Sequence, residues 1–187
     1  MNFRHSVPVN PMTLQANLLT ARLALRPLEP GDSPAIFAIM SDVETMRFWD
    51  WPALKEPQTA AEIVAGQIAD MVEGRALYWA VALGPRVIGS CDLSEIDRHH
   101  GRAELGFLFN RAYWGKGYAA EAMAAVVGHA FGALGLERLS ARFHAGNDAS
   151  KRLLERLGFA HEGTLRRHVV RGGERRDCLL YGRSREL

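Results

Sequence analysis

Residues 102–119 read RAELGFLFNRAYWGKGYA. The first eight are rich in apolar and aromatic side chains and read as a strand, Arg102–Phe109. A loop with Gly115 and Gly117 follows. It opens on a helix, expected over 119–134, where Met123, Val127, Phe131 and Leu134 keep helical spacing and Gly135 fits the C-terminal cap. Two glycines let a loop turn with its N–H groups inward, and the helix behind it adds free N–H groups and the positive end of its dipole. The unit suits a phosphate or pyrophosphate, although a lone Gly-x-Gly also fits an ordinary strand-to-helix turn. Lys116 either adds charge or points to water. There is no GxxxxGK[ST], and the third glycine of GxGxxG is missing, which favours a pyrophosphate ligand other than ATP or NAD.

Outward from this unit the pattern is mixed. Upstream, 21–27 (ARLALRP) alternates as a strand. Asp32-Ser33-Pro34 starts a helix with an apolar side at Ile36, Phe37, Ile39 and Met40, and Thr59-Ala60-Ala61-Glu62 is read as a capping box opening a second helix that stops at Gly74. Between them, 43–52 holds Phe48, Trp49 and Trp51 around Asp50, and reads as a short helix or loop. Residues 77–83 and 87–96 form a hairpin that leads into the central strand. Downstream come a strand at 138–145, a short helix at 148–157 stopped at Gly158, and two strands at 159–169 and 177–181 around Arg171-Gly172-Gly173. The order describes one mixed α/β domain over 19–187, with 1–18 as an N-terminal extension and Met12 as a second candidate start.

Composition narrows the function classes. The 187 residues carry a formal charge of only +2, too small to argue for bulk nucleic-acid binding. Arginines crowd the C-terminal end (166, 167, 171, 175, 176, 183 and 185), as a solvated face or as an attractor of an anionic partner. Cys91 and Cys178 form no CxxC and have no histidine cluster nearby, so no metal site is expected, and both read as small buried side chains. There is no signal sequence and no apolar run approaching the roughly 18 residues of a membrane helix, which makes the cytoplasm the default.

Four stretches, TARLALRPLEPGD, MRFWDWP, AELGFLFNRAYWGKGYAAEAM and FHAGNDASKRLLERLGFAHEGTLRR, resemble the GNAT superfamily of acyl-CoA-dependent N-acetyltransferases, and more narrowly its RimJ/RimL-type branch. The closing RRDCLLYGRSREL also fits. The resemblance implies an α+β fold in which a mostly antiparallel central sheet is flanked by helices and two central strands splay apart. It implies acetyl-CoA as the acyl donor, with its pantetheine arm on the backbone of Phe107, Leu108 and Phe109. Its pyrophosphate would lie on the amides of Trp114, Gly115, Lys116, Gly117, Tyr118 and Ala119, with Asn147 and Ser150 facing the arm and the sulfur. Asn147 also reads as a plain helix cap. Two positions depart from the family's pattern. Ala112 stands where a Gln or Arg is common, and Leu154 stands where many relatives place the tyrosine that protonates the departing thiolate.

The activity implied is transfer of an acetyl group to a primary amine, either a small molecule or a protein N-terminus, a ribosomal protein among the candidates. A homodimer is an open reading. The alternative is an acyl-CoA-binding sensor or adaptor without turnover. Glu104 is the expected base, acting through water, with Asp92, His100 and His168 as rivals and a surface ion pair to Arg102 or Arg138 as its structural alternative. Ser150 or water is expected to protonate the thiolate. Phe48, Trp49 and Trp51 are the expected acceptor pocket, or else packing between the first two helices and the sheet.

Overall fold

The structure, a computed structural model, describes residues 16–185. Both Met1 and Met12 fall outside the described residues. The elements are β1 (Leu18–Leu19), β2 (Ala24–Pro27), α1 (Ser33–Met40), α2 (Pro57–Val72), β3 (Leu77–Leu83), β4 (Arg86–Asp97), β5 (Arg102–Phe109), α3 (Tyr118–Phe131), β6 (Arg138–His144), α4 (Asp148–Arg156), β7 (Ala160–Arg171) and β8 (Glu174–Ser184). The strands form one sheet in the order β1-β2-β3-β4-β5-β6-β8-β7. Each neighbouring pair is antiparallel except β5 and β6, which run parallel and therefore need the crossover that α3 supplies. Their ladder covers only Arg102–Glu104 against Arg138–Ser140. From Leu105 onward β5 keeps β4 on one side and, among the described residues, has no strand on the other.

Strand alternation sends successive side chains to opposite faces, and each face has its own core. Cys91, Leu93, Ala103, Leu105, Leu139, Ala141 and Phe143 pack with Met123, Val126 and Val127 of α3 and Leu154 of α4. On the other face Ala80 and Leu108 pack with Ile36, Ile39 and Met40 of α1 and with Val64 and Met71 of α2. Both cysteines are buried.

Three local expectations change. Helix α2 starts at Pro57, and Glu56 takes the extended cap position. Proline at the first turn, with its fixed φ and missing N–H, starts the helix ahead of Thr59, so Thr59 to Glu62 is no capping box. Helix α3 ends at Phe131 and not at Leu134. The chain breaks at Gly132, and Leu134 and Leu136 donate back to the carbonyls of His129 and Ala130. Asp32 does not cap α1 with its side chain. Its buried carboxylate instead accepts from Arg26 at 2.8 and 2.6 Å and from the Glu29 N–H at 2.9 Å.

The two bonds from Arg26 fasten the start of α1 to β2, and the third closes the turn ahead of the helix. Asp32→Ala removes the shortest partner of Arg26 and leaves the Glu29 N–H without its acceptor, and should cost about 2 kcal/mol. A urea midpoint shift at unchanged m-value checks it.

Candidate active site

The parted strands open a cavity of about 330 Å³, a small-molecule size. Leu105, Gly106, Phe107 and Leu108 line it from β5, and Ala141 and Phe143 from β6. Asn147, Ser150 and Leu154 line it from α4 and its cap, and Phe48, Trp49 and Trp51 from the segment ahead of α2. The cavity therefore passes through the sheet, from α1 (Ile36, Met40) to α4. Trp49 and Trp51 sit ring to ring with centroids 5.5 Å apart, and Trp51 is 44% exposed.

Glu104 lines this cavity. Burial raises its pKa and so do Glu95 and Asp50, while the Arg142 charge lowers it; the net shift is upward. Its alternative partners are engaged elsewhere, since Arg102 pairs with Asp97 and Arg138 with Glu162. Among the rivals Asp92 shares the cavity, whereas His100 is exposed in a turn and His168 on β7. Asp92 is pushed up to about 7, chiefly by burial and further by Glu104, against a lowering hydrogen bond from Ser94. It faces Gly106 across the ladder, where any Cβ would overlap its carboxylate. Tyr78 also lines the cavity, and burial, with help from Asp92 and Asp70, pushes its phenol up to about 12.

The glycine loop between β5 and α3 is not among the residues that line this cavity. Gly115 and Gly117 both take positive φ, +72° and +80°, which L side chains adopt only with strain. Gly117 caps α3 without any side-chain hydrogen bond, so the first-turn N–H groups are left for a ligand. Nothing lies within 4 Å of a Cβ built at Gly115. This open cradle at a helix N-terminus fits a diphosphate, and the edge of β5 left free by β6, around Phe107, fits a peptide-like arm, while Leu108 faces Ser90 of β4 and the Phe109 carbonyl already has a donor. Two side chains turn away from the cradle: Lys116 donates to the Ala112 carbonyl at 2.9 Å, and Trp114 Nε1 donates to the Phe109 carbonyl at 2.8 Å. Tyr118 carries Arg22 over its ring at 4.4 Å, and Ala119 packs on the core. Asn147 caps α4, accepting from the Ser150 N–H at 3.1 Å, and both still line the cavity.

Several site residues were not singled out from the sequence. Arg22 bonds the Lys116 carbonyl at 3.0 Å and Glu121 at 2.6 Å, bracing the loop. Arg142 and His144 reach the cavity from β6 and meet Asp50 there. Their spacing of two, flanking Phe143 in a strand, was the available signal that they share a face. Arg166, Arg167, Arg171, Arg175 and Arg176 lie on the β7–β8 hairpin, outside the cavity.

The acetyltransferase (GNAT) domain family matches residues 22–160. The chain is 32% identical over 166 residues to an uncharacterized N-acetyltransferase, YoaA, of Bacillus subtilis (strain 168), covering 88% of this chain and 94% of that one. It is 28% identical over 159 residues to the spermidine N(1)-acetyltransferase of Escherichia coli (strain K12), covering 83% and 82%. In fold it superposes on RimL, a ribosomal L7/L12 alpha-N-protein acetyltransferase solved with coenzyme A, with a TM-score of 0.84 at 19% identity over 90% of this chain and 98% of that one. With a family match across most of its length and a cradle and parted strands that suit the donor, the chain belongs to the GNAT acetyltransferase family and is an acetyl-CoA-dependent N-acetyltransferase.

Proposed function

We propose that the chain acetylates a primary amine, a small molecule or a protein N-terminus, with Glu104 as the base that takes the acceptor's proton through water. One observation carries this reading: Glu104, the aromatic wall Phe48, Trp49 and Trp51, and the unpaired edge of β5 face one cavity. Residues 19–187 form the catalytic domain in this reading. The glycine loop, the β5 edge, Asn147 and Ser150 hold the donor, which supplies an acetyl thioester. The amine attacks the thioester carbon, the C–S bond breaks as the C–N bond forms, and the ammonium proton leaves by way of Glu104. In this reading a backbone N–H on the free edge of β5, near Leu108, stabilises the charge growing on the carbonyl oxygen. Ser150 or water returns a proton to the thiolate, since Leu154 offers no phenol. The related spermidine acetyltransferase and RimL support a cationic amine acceptor without choosing its size.

A carboxylate base with a raised pKa suits this task, because it is a stronger proton acceptor than an ordinary glutamate. Activity should rise with pH as Glu104 loses its proton. Arg142→Gln removes the charge that holds that pKa down, so the acid limb of kcat/KM should move to higher pH. Glu104→Gln should lower kcat/KM by about 100-fold or more and abolish the limb. Unchanged turnover across pH would remove Glu104 from this role.

The acceptor reading is tested by release of free CoA thiol with a panel of amines, including peptides with free N-termini. Thiol release with at least one is expected. Tight acetyl-CoA binding with no release on any amine would favour the non-catalytic module. Trp51→Ala should raise the acceptor KM more than the acetyl-CoA KM.

Asp92 provides an independent check on the cavity's dryness. A carboxyl lifted to about 7 in the folded state costs nothing where it is protonated in both states, and destabilises increasingly as pH rises above its unfolded value. Asp92→Asn should therefore match the parent Tm near pH ~4 and exceed it above pH ~7.

A further inference from the structure

The segment from Phe48 to Trp51 places three aromatic side chains and one charge at the cavity. Its backbone leaves a 3-10 turn, Thr45–Phe48, in extended form at Trp49, whose N–H bonds only back to Met46 of that turn. Trp49 packs on the core under α1 and α2, and the hydrogen-bonded tie to β6 is made by the one charged side chain. Asp50 Oδ1 meets His144 Nε2 at 2.7 Å, and Asp50 Oδ2 accepts from Arg142 Nη2 at 3.2 Å. These bonds join residues more than ninety positions apart.

Both partners depend on this carboxylate. His144 is 2% exposed, and its other ring nitrogen, Nδ1, is buried without any hydrogen-bond partner. Arg142 has a long contact to Cys178 Sγ, 3.7 Å, as its other bond. Burial pushes the Asp50 carboxyl up, but the His144 bond and the Arg142 charge outweigh it and hold it below its ordinary value. An ionised carboxylate only accepts, so Nε2 donates to Asp50. A buried imidazole with an unsatisfied nitrogen is costly for stability, and an apolar side chain of similar size would serve packing better. Its retention at the cavity needs a reason other than stability.

We propose that Asp50, clamped by His144 and Arg142, is the positioning element of the acceptor pocket: it fixes Phe48, Trp49 and Trp51 against β6 and so sets how tightly the amine is held. The role rests on the acetyl-transfer reading of the same cavity. The clamp acts through the aromatic wall and leaves the donor's cradle at Gly115 and Gly117 untouched.

The test uses His144→Leu and Asp50→Asn in the full-length protein. Each should raise the acceptor KM about tenfold while the acetyl-CoA KM stays within about twofold. His144→Leu should keep or raise Tm, because it removes the unsatisfied nitrogen. A fall in Tm with both KM values unchanged would make the clamp a stability feature and overturn the proposal, as would no change in any of them. A readout free of substrate separates this from the acetyl-transfer reading. Acrylamide should quench tryptophan fluorescence more strongly in His144→Leu than in the parent, as Trp49 and Trp51 loosen. Equal quenching overturns the clamp even if no amine is ever acetylated. Should His144→Leu fail to fold, Asp50→Asn, which keeps the side-chain volume, carries the same measurements.

Discussion

The site exists because the ladder between β5 and β6 stops at Glu104 and Ser140. Backbone N–H and C=O groups buried away from water need partners, so a strand edge inside a domain is either paired or kept for a ligand. Here β5 lines a cavity from Leu105 to Leu108, and among the described residues no strand pairs with it on that side. The parallel pairing is part of the same constraint. A parallel neighbour requires a crossover, the crossover is α3, and the N-terminus of α3 is where Gly115 and Gly117 leave N–H groups open. The edge and the cradle thus come from a single β5–α3–β6 unit, as a donor with both an amide-bearing arm and a diphosphate demands.

The second constraint is the period of two along the strands. One face of the sheet is continuous core against α3 and α4, built from Leu105, Leu139, Ala141 and Phe143. The other face is apolar under α1 and α2 but turns polar near the parting, where Asp92, Glu104, Arg142 and His144 meet the cavity. Those groups are only partly hydrated. Burial is the largest cause of the upward shifts of Asp92 and Glu104, and Arg142 is the counter-charge that limits the shift at Glu104. The same Arg142 holds Asp50, so acceptor wall and proposed base share one cation. Changes on the wall should therefore be felt at the base.

Much of this was legible in the sequence. The order of elements, the two glycines, Glu104 on the central strand and the Asn147–Ser150 turn all rest on local patterns, which depend on near neighbours in the chain. Boundaries were less secure where two local signals competed. Pro57 outweighed the Thr59 capping pattern, and Gly132 ended α3 before Gly135 could. What local pattern did not reveal were the residues that act by meeting across the fold. Arg22 looked like the polar side of an alternating strand, yet it braces the glycine loop through Glu121 and the Lys116 carbonyl.

By itself, then, the sequence determined the fold family and the glycine loop proposed to hold the donor, because period, glycine placement and capping are written over a few consecutive residues. The tertiary structure decided the chemistry of the acceptor side. Asp50 lies between aromatics in a connecting segment, and Arg142 and His144 sit in an ordinary-looking strand far along the chain. Only folding brings that carboxylate within 2.7 Å of the imidazole and buries Glu104 and Asp92 enough to move their protons. Distance and dielectric are properties of the packed molecule, and no short stretch of sequence carries them.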